Sequence, residues 1–243
     1  MNKTISIVTI VLNDEEGIEK TIQSVLSQTS LPDQFIIKDG GSRDGTTSII
    51  KKYLKDYSFI EFLEGKDNGV YDAMNIAIDN VVSELVIFMN AGDYFHSNTI
   101  LEHVKSIYQK QSLLYGDMIL EGVEGWIPYP GKKMISSSFC KDNINHQSVF
   151  FNSEILKNKY HGYNLKYKYL ADQYLIRQYF RDFTDIVYLE KSVAVYNLKG
   201  ISSKPSFRIK YETYLLNLKF IGLKCFLKSF YLNEIKRIFK NLF

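Results

Sequence analysis

The 243-residue chain is short of several residue types that mark whole protein classes. It has two cysteines, Cys140 and Cys225, far apart and without metal-ligand spacing. That excludes a disulfide scaffold and a cysteine-based zinc site, and it fits a reducing cytosol. Four prolines and no biased tract exclude collagen-like and low-complexity architectures. No stretch reaches the roughly 18 uninterrupted apolar residues of a spanning helix. The net charge of +3 is too small to point to nucleic acid. What remains is ordinary globular usage, 45% apolar and 23% charged, with 18 Tyr and 16 Phe against one Trp. The length is enough to bury a sizeable core.

The charge is unevenly spread. Lys204–Phe243 holds nine Lys/Arg and two Glu, a net +7, so residues 1–203 carry −4 of the chain's +3. A mildly acidic body precedes a basic, aromatic tail. Met1–Leu12 is apolar enough to suggest a leader. It runs straight into Asn13-Asp14-Glu15-Glu16 with no small-residue cleavage site, and so reads as a buried strand.

The first half alternates two periodicities. Strands are expected at Ile5–Leu12, Gln34–Asp39, Phe59–Glu64 and Leu85–Met89, and helices at Glu15–Gln28, Thr46–Leu54, Val70–Asn80 and Ile100–Lys110. This rhythm predicts an α/β fold with a mostly parallel central sheet and helices on both faces. Ligands of such sheets bind beyond the carboxyl ends of the strands. The polar clusters Asn13-Asp14, Asp39-Gly40-Gly41-Ser42 and Asn90-Ala91-Gly92-Asp93 fall there. The second half loses the rhythm. Glu121–Ser138 reads as a loop, and weaker signals follow at His146–Phe151 and Tyr169–Arg181.

Neither GxGxxG after the first strand nor GxxxxGK[ST] is present, which counts against nicotinamide dehydrogenases and P-loop kinases. By their chemistry alone, Asp39 to Thr46 serve equally as a ligand-approaching loop or a plain turn. Taken in order, four clusters are more specific: Ile7-Val8-Thr9-Ile10-Val11-Leu12-Asn13, Asp39-Gly40-Gly41-Ser42-x-Asp44-Gly45-Thr46, Asp67-x-Gly69-x-Tyr71-Asp72-Ala73-Met74-Asn75 and Met89-Asn90-Ala91-Gly92-Asp93. Together they resemble the family 2 glycosyltransferases of the GT-A fold, in particular the bacterial branch that builds O-antigen, capsule and exopolysaccharide. The match is strong over residues 5 to about 95 and weaker to about 205.

The resemblance implies a Rossmann-like GT-A domain over residues 1–205. Residues 1–115 would form its nucleotide-sugar half and 116–205 its acceptor and catalytic-base half, with a basic amphipathic helical tail at 206–243. It implies an inverting transfer of a hexose or N-acetylhexosamine from a UDP-sugar to an undecaprenyl-diphosphate-linked saccharide. Asp39 would bind the base, with Thr9, Val11, Asn13, Asn75 and Asn90 completing the nucleotide site. Asp93 would hold Mn²⁺ or Mg²⁺, a hard cation suited to carboxylate and phosphate oxygens. Asp172, in Leu170-Ala171-Asp172-Gln173-Tyr174-Leu175-Ile176-Arg177, would be the base for the acceptor hydroxyl. Asp72, His146 and Lys199 are expected near the donor sugar or diphosphate.

Each residue also has a plainer use. Asp39 fits an Asx-turn, Asp93 a helix cap, Asn75 a bond to a backbone group, Asp72 a solvent-facing position, Asp172 the start of a helix and His146 a satisfied core site. The chain also departs from the family pattern. Gly92 and Ala171 replace acids, Met74 replaces an arginine for which Lys66 or Arg43 could substitute, and Leu198–Ser202 lacks a late histidine. These departures motivate a second reading, a catalytically silent GT-A-like protein that binds or assembles at a membrane. A nucleotidyltransferase ranks last, because no Gly-rich basic signature lies near the first strand. In the tail, Tyr231, Ile235, Ile238, Phe239 and Leu242 share one helical face, with Lys236, Arg237 and Lys240 on another. That pattern suits a peripheral helix on the inner face of a bacterial cell membrane, and the same face suits packing on the domain or a homodimer contact.

Overall fold

The computed structural model describes residues 3–122, 125–129, 143–197 and 207–222. In chain order the elements are β1 (Ile5–Val11), α1 (Glu15–Leu26), β2 (Gln34–Asp39), α2 (Thr46–Tyr53), β3 (Ile60–Glu64), α3 (Val70–Asn80), β4 (Leu85–Phe88), β5 (Tyr94–Phe95) and α4 (Ile100–Ile107). There follow β6 (Leu113–Gly122), β7 (Gly125–Tyr129), a 3-10 turn at His146–Ser148, β8 (Val149–Asn152), α5 (Ser153–Asn158), α6 (Ala171–Asp182), β9 (Ile186–Asn197) and α7 (Phe207–Ile221).

Local sequence accounts for the first half. The carboxylate of Asp14 caps α1 by accepting the Gly17 N–H at 3.0 Å, and Glu15 and Glu16 add negative charge to its first turn. The β1 residues Ile5, Ile7 and Val11 pack under α1, α2 and α4 against Ile18, Ile22, Ile50 and Leu101. Val8, from the opposite pleat, packs under α3 and α6 against Met74, Ala77, Leu175 and Tyr179. The sheet is thus covered on both faces, as buried parallel strands require.

The sheet order is β3-β2-β1-β4-β8-β6-β9-β5, with β7 paired to β6. The first four strands are parallel throughout. Beyond β4 the sheet becomes mixed: β8 is antiparallel to both β4 and β6, whereas β9 runs parallel to β6. The α/β expectation therefore holds, with the parallel core extended by the second half.

One expectation fails in that extension, and one long strand was not anticipated. The stretch from Glu121, read as a loop, contains β7, whose Pro128 sits opposite Ile119. Proline is tolerated there because, among the described residues, β7 pairs with β6 alone. The long strand β9 carried no usable alternation because its register against β6 slips: Tyr115 faces Tyr188, but Asp117 faces Ser192. The extra residues form a bulge, with Glu190 in the left-handed region at φ 52°.

Gly116 sits at that slip. A Cβ there would lie 2.4 Å from the Lys191 carbonyl oxygen and 2.7 Å from a Val193 methyl. Gly116→Ala should therefore destabilise the fold by about 1–3 kcal/mol, the range for overpacking a filled site. Urea denaturation measures this, and a neutral substitution would mean that the bulge relaxes freely.

Candidate active site

The loops after β1, β2 and β4 meet at the carboxyl edge of the sheet. Asn13 adopts the left-handed region at φ 52°. From there its Oδ1 accepts the Arg43 N–H at 2.8 Å, and its own N–H donates to Ser42 Oγ at 2.8 Å. Asp39 is fully buried at the end of β2. Its carboxylate accepts the N–H groups of Gly41 and Ser42 at 3.0 and 2.9 Å, together with the Ser42 hydroxyl. Asp39 and Asn13 thus hold one loop between them. Beside it, the buried Lys38 ammonium donates to the carbonyls of Asp39 and Gly65 and pairs with Asp67 at 3.2 Å.

The loop after β4 is held from beneath by Thr21. Its hydroxyl donates to the Asp93 carbonyl at 2.7 Å and lies 3.0 Å from the Gly92 N–H. The Asp93 side chain turns inward, 4% exposed. Its oxygens accept the Asn197 N–H at 3.0 Å and the Gln147 amide at 3.1 Å. Burial lifts its pKa from 3.8 to about 7, against the opposing pull of those two hydrogen bonds and of His146; Asp14 adds to the rise. Asn90 Oδ1 is buried there with no hydrogen-bond partner among the described residues.

The second half supplies the facing wall. The 3-10 turn before β8 points two consecutive side chains at two different acids. Gln147 reaches Asp93, whereas His146 Nδ1 lies 3.3 Å from Asp172 Oδ2 and its Nε2 lies 3.3 Å from the Asn90 amide nitrogen. His146 thus bridges the Asp172 carboxylate and the Asn90 amide. The Tyr71 hydroxyl, on α3, lies 2.9 Å from Asp172 Oδ1 and 2.9 Å from the Tyr169 carbonyl oxygen. Burial alone would raise the Asp172 pKa, but the bonds from His146 and Tyr71 outweigh it and hold the carboxyl below its usual range. Burial, then the charge of Asp172, keeps Tyr71 protonated by pushing its pKa well up. Arg177, one turn and a half further along α6, is buried, which lowers its pKa to about 10.

The structure brings Asn13, Asp39, Asn90, Asp93, His146 and Asp172 to this edge and corrects other expectations. The side chains of Thr9 and Val11 do not line a pocket. Thr9 is buried with its hydroxyl on the Met89 carbonyl at 2.6 Å, and Val11 lies in the core under α1. The period of two sends both inward, and Leu12 reaches the surface instead. The Asn75 amide clamps the backbone of Tyr163, accepting its N–H at 2.7 Å and donating to its carbonyl at 2.9 Å. Asp72 accepts the backbone and side-chain N–H groups of Asn68 at 2.8 and 3.0 Å, which secures the start of α3. Lys199 lies outside the described residues.

Several contributors act through distant partners: Thr21, Lys38, Tyr71 and Gln147 reach residues 27 to 101 positions away. Tyr71 lies inside one of the four ordered clusters and Gln147 beside His146, whereas Thr21 and Lys38 carried no sequence signal.

A family model described as "Glycosyl transferase family 2" matches residues 6–182. An uncharacterized glycosyltransferase of Mycobacterium tuberculosis is 30% identical over 182 residues, covering 71% of this chain and 67% of the relative. The crystal structure of S. aureus TarS 1-349 in complex with UDP-GlcNAc has a TM-score of 0.67 at 14% identity, over 88% of this chain and 66% of that one. This chain spans only 39% of a longer TarS chain. The mannosyltransferase PcManGT from Pyrobaculum calidifontis, in complex with GDP-Man and Mn²⁺, has a TM-score of 0.59 at 13% identity, over 89% and 61%. At these identities the two structures establish the fold.

The raised pKa of Asp93 sets a pH dependence. In the cation-free protein, the folded state retains a proton that the unfolded chain releases near its ordinary 3.8, so Asp93 contributes stability at low pH that is lost as pH rises to about 7. Asp93→Asn should gain on the wild type by on the order of a few kcal/mol between about pH 4 and about pH 8. Urea denaturation at both pH values tests this; a constant difference would mean that the carboxylate is solvated. Asn75→Ala strands both backbone groups of Tyr163 and should cost about 1–3 kcal/mol with nucleotide affinity unchanged. Loss of affinity without loss of stability would return Asn75 to the binding site.

Proposed function

The chain belongs to glycosyl transferase family 2 and is a glycosyltransferase; from that premise we propose an inverting enzyme that moves a hexose or N-acetylhexosamine from a UDP-sugar to a lipid-linked saccharide. The carrying observation is the His146–Gln147 turn. Through it an acid suited to the diphosphate side, Asp93, and an acid suited to the acceptor side, Asp172, are held by two consecutive residues of one support.

The residues present fit a hard divalent cation. Asp93 keeps free lone pairs on both oxygens, Asn90 offers an unpartnered buried oxygen, and Asp14 contributes negative charge nearby. Among the described residues no group of three His, Cys, Asp or Glu could hold a metal by itself. That suits Mg²⁺ or Mn²⁺, which take one or two carboxylates and complete their shells with phosphate and water. The neighbour holding Mn²⁺ agrees with this choice. When bound, the cation would neutralise charge on the departing diphosphate, and Asp93 and Asn90 would hold it.

The chain's own groups carry the rest. The loop tied by Asn13, Asp39 and Ser42 would receive the base, with UDP favoured by the neighbour bound to UDP-GlcNAc. The acceptor hydroxyl attacks the anomeric carbon opposite the diphosphate, the carbon–oxygen bond to phosphate breaks, and Asp172 takes the hydroxyl proton. A single displacement inverts the anomeric centre. Asp172 is ionised, as a general base must be, and Tyr71 and His146 fix its orientation.

A lipid-linked acceptor agrees with the basic tail at 206–243, and with an inner-face peripheral location. The bacterial O-antigen, capsule and exopolysaccharide branch belongs to this reading. Among the described residues no helix is long and apolar enough to cross a membrane. The amphipathic stretch from Tyr231 lies outside the described residues.

Thermal unfolding with UDP, GDP and dTDP, each with and without Mn²⁺, tests the donor site, since a ligand at 100 times its dissociation constant adds ~2.7 kcal/mol. Stabilisation by UDP that depends on Mn²⁺ is expected. Asp172→Asn should keep that stabilisation while turnover falls by roughly 10²–10⁴-fold, and Asp93→Ala should lose both. Unchanged turnover in Asp172→Asn would reject this base. A folded protein indifferent to every nucleotide would favour the silent scaffold.

A further inference from the structure

We propose that Glu212 is a positioning residue for Asp172, and hence that α7, which lies beyond the family-matched residues 6–182, is a working part of the catalytic half. The inference rests on the reading of Asp172 as the base.

The start of α6 needs outside support. Its N-cap is Leu170, whose side chain cannot accept a hydrogen bond, and Asp172 follows two residues later. The support comes from α7, at the N-cap residue and the two residues before it. Glu212 is 2% exposed. Its Oε1 accepts the Lys168 N–H at 2.9 Å, and its Oε2 accepts those of Tyr169 and Leu170 at 2.9 and 3.0 Å. Three main-chain donors converge on one buried carboxylate, a charge-assisted arrangement stronger than three neutral bonds. Arg208, one turn earlier on α7, lies 3.2 Å from the same Oε1 and offsets part of the burial of the charge.

The same short segment is gripped from the opposite side. The Tyr169 carbonyl is 2.9 Å from the Tyr71 hydroxyl, which also touches the Asp172 carboxylate. Residues 168–172 are therefore held between two elements: their N–H groups on Glu212 of α7, and the Tyr169 carbonyl and Asp172 carboxylate against the Tyr71 hydroxyl of α3, which shares its one proton between them. Releasing one side lets the segment shift toward the other and carries Asp172 with it. The contact is also anchored further along. Leu216 is fully buried, Arg177 donates to Asn217 Oδ1 at 2.9 Å, and Lys219 donates to the Tyr174 hydroxyl at 2.6 Å. The helix that opens the basic tail is thus built into the support of the base.

The test compares full-length wild type, Glu212→Ala and Glu212→Gln. In Gln the one remaining carbonyl oxygen can still serve Tyr169 and Leu170. Glu212→Ala should lower kcat by roughly ten- to a hundredfold, the scale of a small misplacement of a reacting group. The donor KM and the affinity for UDP with Mn²⁺ should change by less than about threefold, and Glu212→Gln should retain part of the lost kcat. Hydrogen–deuterium exchange should rise across Lys168–Arg177 in Glu212→Ala and stay unchanged in β1 and β4. Two results would overturn the proposal: wild-type kcat in both variants, or kcat and UDP affinity falling together with exchange rising throughout the chain. Should wild type itself transfer no sugar, the transfer reading has failed instead. Raised exchange confined to Lys168–Arg177 would then still uphold the clamp, and unchanged exchange would overturn it.

Discussion

Two carboxylates, Asp93 and Asp172, are withdrawn from water on either side of one 3-10 turn, and the rest of the site follows from how that is made tolerable. A buried charge is costly unless donors surround it. His146 and Tyr71 supply donors to Asp172, and its carboxyl is held ionised. Gln147 and the Asn197 N–H supply fewer to Asp93, whose pKa remains raised by burial. The two acids therefore sit in different electrostatic states although one turn supports both. That asymmetry suits a division of labour: an ionised base on one side, and on the other a carboxylate that gains from a cation beside it.

The supports come from every layer of the fold. Thr21 on α1 fixes the loop that carries Asp93, Tyr71 on α3 fixes Asp172, and Glu212 on α7 fixes the segment leading to α6. None of these side chains belongs to the strand-end clusters themselves, apart from Tyr71. Precise placement of reacting groups depends on such second contacts as much as on the groups. The tail helix has a double character for this reason. Its inner face carries Glu212 and Leu216, while Phe207, Tyr211 and Leu218 face outward.

The parallel core was legible because its strands and helices are regular. Expected and observed bounds in β1, β2, α3 and β4 agree to within a residue. The family resemblance drawn from the four strand-end clusters is matched by a family model over 6–182. The second half resisted for physical reasons. The bulge in β9 breaks the period of two, Pro128 disguises an edge strand, and β6 is shared among three partners. Within the clusters, residue type outran geometry. Thr9, Val11 and Asn75 stand in motif positions, yet their side chains serve the core or the backbone of Tyr163.

By itself the sequence determined the alternation that makes an α/β sheet, the position of its ligand edge and the acids at that edge. These are local properties, readable from periodicity and from short ordered motifs. Only the tertiary structure decided which acids face each other and which side chains tune them. Gln147 meets Asp93 across 54 positions, Tyr71 meets Asp172 across 101, and Glu212 meets Tyr169 across 43. Such contacts arise from the order in which strands enter the sheet and from how helices pack on it, and no spacing along the chain encodes them.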